Sequence, residues 1–276
     1  MILGIIGGGR AAWAFGSTWQ RLGWPIAGVT LREAAGRTLC APTDAATDVA
    51  THADAGADAG RGAQRAPSVI SLLGTRQMSL DDLANESELI LIAVSDAAIA
   101  DFAQRIPSTR AVIFHPSGSM TSVRGGFSLH PLRALPPLGA ESDLRDTLLV
   151  FEGAHKEIAE RIADAAGARL AEIAPEAKPL YHAGAVFGAN YVAALLDIAE
   201  ELMREAGVEN VRDDLVALTR SAIDNWARTT GPQRFTGPAA RGDAAVIEQH
   251  LRALASRPEL AEIYRRLAES IVAARK

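Results

Sequence analysis

The chain opens on a short apolar run, Met1–Ile6, that passes directly into Gly7-Gly8-Gly9-Arg10-Ala11-Ala12 and then into a helical pattern over Ala11–Leu22. Three glycines between a buried strand and a helix restrict the fold more than any other feature of the sequence. Such a turn must bend tightly and leave its backbone bare. The spacing G-x-G-x-x-A in this place is the fingerprint of a βαβ unit that binds a dinucleotide. Gly7 permits the turn, Gly9 lets the backbone approach a pyrophosphate, and Ala12 allows close packing of helix on sheet. The helix N-terminus then offers N–H groups and the positive end of its dipole.

Gly23 and Pro25 end that helix, and Ile26–Leu31 reads as the second strand. The residue at its end decides between two cofactors, because a carboxylate there holds the ribose hydroxyls of NAD. This chain has Arg32 followed by Glu33. A guanidinium suits the 2′-phosphate of NADP, so NADP is favoured and NAD remains allowed; Arg10 is a second candidate for the phosphate.

Residues 41–66 are rich in Ala, Asp, Gly and Thr and hold almost no large apolar side chain, the pattern of a mobile surface insertion. Beyond it, Val69–Leu73 reads as a short strand and Ser79 as the start of a helix ending near Asn85. Strand patterns follow at Leu89–Val94, Ala111–His115, Ser128–His130, Leu148–Glu152 and Arg169–Ile173, with helices at Ala97–Ile106 and Lys156–Ala166. The alternation is that of a doubly wound α/β sheet. After Pro175 the pattern becomes all helical: Pro179–Ala206, Val211–Thr229, Asp243–Ser256 and Pro258–Lys276. The expected division is a dinucleotide-binding domain over residues 1–175 and a helical domain over 176–276.

Composition excludes several classes. A single cysteine, Cys40, forms no intrachain disulfide and fits a reducing, cytoplasmic setting. A net charge of −5 with dispersed arginines is no nucleic-acid surface. No apolar stretch read from the sequence reaches membrane-spanning length, and no cysteine–histidine spacing predicts a metal site.

Six segments together resemble a family of Rossmann-like proteins with a helical C-terminal domain known as DUF2520. They are Gly7–Ala12, Ala93-Val94-Ser95-Asp96, His115-Pro116-Ser117-Gly118, Ser128-Leu129-His130-Pro131-Leu132, Tyr181-His182-Ala183 with Phe187–Asn190, and Thr236-Gly237-Pro238 with Arg241-Gly242-Asp243. Ser95 stands where the family more often has proline, and the residue 41–66 insertion departs from its compact loop. The family is similar to ketopantoate reductases, pyrroline-5-carboxylate reductases and β-hydroxyacid dehydrogenases. The resemblance implies a Rossmann-like sheet joined to a helical domain like the C-terminal part of 6-phosphogluconate dehydrogenase. It also implies reduction of a small oxo or imino acid in an interdomain cleft, and a homodimer formed through the helices. The cofactor segment would include Val94 and Ser95.

Such a reduction needs a proton donor and groups that stabilise charge on the reacting heteroatom. His182 and Asn190 are read on one helix, about 80° apart around it, facing one cleft. The resemblance puts His182 where related reductases carry a lysine, with Asn190 orienting substrate. Ser117 and His130 follow strands, at the sheet edge where ligands bind in open α/β folds. Ser117 is a hydrogen-bond donor to nicotinamide or substrate, His130 a group for an anion, and each is equally a turn residue. Thr236 and Arg241 are candidates for a substrate carboxylate, and Asp243 for capping the following helix. Two other readings stay open: a regulator that binds NADP without turnover, and an enzyme passing hydride between NADP and a deazaflavin.

Overall fold

The computed structural model describes residues 1–31 and 67–274. Arg32, Glu33, Cys40 and the 41–66 insertion lie outside the described residues. The chain divides into two compact units, Met1–Asn190 and Tyr191–Lys276, with the first helix after Pro175 grouped with the sheet.

In the first unit β1 (Leu3–Ile6), α1 (Arg10–Arg21) and β2 (Ile26–Thr30) form the expected βαβ start. They are followed by α2 (Val69–Leu72), α3 (Leu80–Glu86), β3 (Leu89–Ile92), α4 (Asp96–Arg105), β4 (Val112–His115), β5 (Phe127–Pro131), β6 (Leu148–Gly153), α5 (Lys156–Ala166), β7 (Arg169–Glu172) and α6 (Lys178–Gly188). Among the described residues the strands form one seven-stranded sheet in the order β2-β1-β3-β4-β5-β6-β7. All neighbours are parallel except β5 and β6.

Strands buried on both faces must be apolar throughout, which is why β1 and β3 read Leu-Gly-Ile-Ile and Leu-Ile-Leu-Ile. Alternate residues feed two cores. Leu3, Ile5, Leu89 and Leu91 join Phe15 and Trp19 of α1 and Ile162 of α5, while Ile6, Ile90 and Ile92 join Leu83 of α3 and Ile99 and Phe102 of α4.

Residues Val69–Leu73 are not the expected strand. Ser68 accepts the amide of Ser71 at 3.2 Å and starts α2, whose Val69 is buried, as is Leu73 just after it. The bridge to β2 is made instead a few residues later, between Gln77 and Val29. Ser79 does cap α3, accepting the Asp82 amide at 3.1 Å.

The expected single helix Pro179–Ala206 is two, α6 and α7 (Asn190–Glu205), broken at Ala189 with φ −130° and ψ −66°. Taken together, Pro175–Glu205 is long and apolar enough to cross a membrane by length and composition, which the sequence reading did not anticipate. The second unit continues with α8 (Arg212–Arg228), α9 (Gly237–Arg241), α10 (Ala244–Ala253) and α11 (Pro258–Ala273).

Candidate functional site

The order of chain connections reverses between β1 and β3: β1 leads to β2 on one side, and β3 leads to β4 on the other. In open α/β sheets the crevice at such a reversal, beyond the carboxyl ends of the strands, is where ligands bind. Gly7–Gly9 leaves β1 there and Ala93–Ser95 leaves β3. Gly7 has φ +120°, and a Cβ on it would lie 2.1 Å from the Ala93 carbonyl oxygen. The two loops are therefore in backbone contact, and only glycine fits.

Among the described residues a Cβ on Gly9 would meet nothing within 4 Å, so they leave the space beside the N-terminus of α1 open. No acidic residue lies in the first turn of α1, and Arg10 opens it. Ala12 is fully buried against the sheet. Val94 is half-buried, and Ser95 is exposed at the start of α4. The open backbone, uncapped amides and adjacent arginine fit a pyrophosphate.

From this crevice polar contacts run along the sheet edge to a second cluster. Asp96, in the first turn of α4, accepts the Ser119 hydroxyl at 2.5 Å. Ser119 belongs to a turn held by Ser117, whose Oγ accepts the amides of Ser119 at 3.2 Å and Met120 at 3.0 Å. Ser117 is itself buried, and its carbonyl accepts the Lys178 ammonium at 3.2 Å. Its hydroxyl thus shapes the loop that follows β4.

The cluster sits on one face of β4, β5 and β6. Strand alternation puts Phe127 and Leu129 on the apolar face of β5 and Ser128 and His130 on the other. His115 pairs with Ser128 and Ser128 with Glu152, so a buried polar row crosses three strands in register. Lys178, at the first turn of α6 and 0 % exposed, lies over this row. Sequence reasoning passed over it and assigned a lysine's place to His182, one turn further along the same helix. Two signals were available. Of the 28 basic residues only Lys156, Lys178 and Lys276 are lysines. A cation in a helix's first turn also opposes the dipole and so needs another partner.

His130 and His182 close over Gly118: their rings meet edge to face at 5.7 Å, and a Cβ on Gly118 would fall 2.6 Å from the His182 ring and 3.1 Å from that of His130. The Tyr181 hydroxyl lies 2.6 Å from His130 Nδ1. Burial, then the neighbouring His182 and Lys178, push the His130 imidazole down to about 4, so it is neutral at pH 7 and carries no charge for an anion. Burial pushes the Tyr181 phenol up to about 12. Burial also holds His115 below the ordinary imidazole range and Lys178 below the ordinary ammonium range, the latter against the pull of Glu152 and Asp96.

The structure brings together His182, His130 and Ser117. Asn190 begins α7 beyond the break and is exposed, so the rotation expected between it and His182 on one helix does not apply. Thr236 and Arg241 belong to the second unit, where Thr236 is exposed and Arg241 Nε bonds Asp243 at 2.9 Å. Asp243 precedes α10, but its side chain makes this ion pair rather than the expected cap.

No curated protein matches the chain. Among solved structures, the fold is similar to the Bacteroides fragilis protein BF3122, described as a candidate NADP oxidoreductase, with TM-score 0.72, 20 % identity, and 99 % of this chain and 98 % of that one covered. It is similar to Thermotoga maritima TM1727, with TM-score 0.69, 19 % identity and 99 % and 98 % covered. It is similar, too, to a Plasmodium falciparum pyrroline carboxylate reductase with NADP bound, with TM-score 0.57, 12 % identity and 100 % and 98 % covered. The fold is Rossmann-like, and residues 148–271, from β6 into α11, match the family described as "Domain of unknown function (DUF2520)".

Proposed function

We propose that this chain is an NADP-dependent oxidoreductase that reduces a small oxo or imino acid, in the manner of the ketopantoate and pyrroline-5-carboxylate reductases its motifs resemble. The observation that carries the reading is the continuity of the sheet edge. Contacts and the short turns between them link the Gly7–Gly9 loop to Ala93, Asp96 to Ser119, Ser119 to Ser117, and Ser117 to Lys178, with the histidines over the adjoining Gly118.

Gly7, Gly9, Arg10 and the amides that open α1 would hold the nucleotide's phosphates, with Val94 and Ser95 lining the same crevice. The nucleotide supplies the hydride when bound. His182, half-buried beside Gly118, presents an imidazole whose ring proton can pass to the substrate's oxygen or nitrogen. His130 stays neutral, oriented by its hydrogen bond to Tyr181. Lys178, as an ammonium, places a positive charge behind the Ser117–Gly118 turn, where it stabilises negative charge developing on the substrate. A working homodimer in the aqueous phase belongs to the same proposal.

The test is direct: NADPH affinity by fluorescence titration, then NADPH oxidation against a panel of oxo acids and cyclic imines. Tight binding with turnover of one substrate class supports the reading. Binding without turnover across the panel leaves a nucleotide-sensing regulator, and no binding removes the reading altogether.

A further inference from the structure

The polar row beneath α6 contains a carboxylate that the proposed chemistry does not use. Glu152 is 2 % exposed on β6. Its Oε2 accepts the Ser122 amide at 2.8 Å and the Ser128 hydroxyl at 3.3 Å, and its Oε1 accepts the Ser122 hydroxyl at 3.0 Å. Ser128 Oγ in turn accepts the Lys178 ammonium at 2.6 Å. An ammonium only donates and an ionised carboxylate only accepts, so the hydroxyl between them has one orientation: it accepts from Lys178 and donates to Glu152. An isolated buried ammonium loses its proton rather than bear the cost of desolvation. Lys178 therefore stays an ammonium only if a linked carboxylate offsets that cost.

We propose that Glu152, acting through the hydroxyl of Ser128, is the positioning residue that keeps Lys178 protonated in the site. This rests on the reading of the cluster as the reductase site. Direct cross-strand pairing of Ser128 with Glu152 sets the geometry, so the link comes from sheet register rather than from a loop. The other groups around Lys178 do not replace it. His115 on β4 and His130 on β5 are held neutral. Tyr181 is a neutral phenol, and His182 lies on Lys178's own helix beyond Gly118. Among the described residues Asp96 on α4 is the one other carboxylate whose charge acts on Lys178, and its bonded partner is Ser119.

The experiment needs neither nucleotide nor substrate. The full chain has three lysines, so labelling with 13C-lysine gives three side-chain signals, with that of Lys178 identified by its loss in Lys178→Met. Its Cε shift is followed from about pH 5 to about pH 11. Glu152→Gln keeps the shape and removes the charge. It should lower the Lys178 midpoint by roughly one pH unit or more, a tenfold loss of proton affinity, and leave Lys156 unmoved. Ser128→Ala should shift it in the same direction and Ser128→Thr should restore it, which also covers a Glu152→Gln protein that fails to fold. An unmoved Lys178 midpoint in folded Glu152→Gln, or in Ser128→Ala, overturns the proposal and leaves Glu152 as an anchor for the Ser122 loop. If NADPH turnover persists while this coupling is absent, only this inference falls; if the coupling is present without turnover, only the reductase reading does.

Discussion

Gly118 is where the site is tightest, since two imidazole rings occupy the space that a side chain on it would need. Gly118→Ala inserts a methyl group within 2.6 Å of His182, which must then rotate or retreat. The expected result is a loss of roughly tenfold or more in kcat with NADPH affinity unchanged, measured on the substrate the panel identifies. His182→Ala should cost roughly a hundredfold in kcat, the usual worth of a positioned proton donor, again with little change in NADPH affinity. Wild-type kcat and pH profile in that variant would make His182 a packing residue. His182, His130 and Ser117 were legible in the sequence because each follows a strand end or sits in a family motif. Lys178 and Glu152 were not, because their partners are fixed by strand register. No local pattern shows that Ser128 lies opposite Glu152.

At the scale of elements, the glycine loop and α1 are where sequence and structure agree most closely, because the motif's constraints are local backbone ones. Gly9→Asp follows from this. With none of the described residues within 4 Å of the new Cβ the fold accepts it, while its carboxylate takes the place of a bound phosphate. NADPH affinity should fall by roughly a hundredfold or more with the melting temperature nearly unchanged; an unaltered affinity would move the nucleotide elsewhere. The missed helix α2 has the opposite cause. Val69–Leu73 is too short and too β-branched to separate strand from helix by pattern, and the Ser68 cap decided it. Strands β4 and β5 carry a second prediction at this scale. His115 and His130 both bind protons less readily in the folded chain than in the unfolded one, so the unfolded state takes up protons first as pH falls. Stability should therefore be full above about pH 6.5 and decline toward about pH 4, where His130 itself titrates. Thermal melts across that range check it, and His130→Gln should flatten the slope.

For the whole molecule, the helices after Pro175 pose the remaining question. None of the 16 residues of α7 is buried, although Leu195 is an apolar residue of that helix and Leu180 and Phe187 of α6 are largely exposed. A helix of this length is marginal in water on its own, and α7 is only half-buried along one side, so a further covering surface is expected. The prediction is that a second copy of this chain covers α7 with its own apolar stripe, a two-fold pair making the surface self-complementary. The predicted homodimer should sediment as about twice the chain mass at micromolar concentration. Leu195→Glu, which places a charge on the stripe four residues from Tyr191, should shift it to monomer and lower its melting temperature. Because Pro175–Glu205 is also apolar enough to span a bilayer, the same sedimentation run is repeated with lipid vesicles. Co-flotation of the wild-type chain, with no dimer in their absence, would assign the stripe to lipid instead of to a second copy.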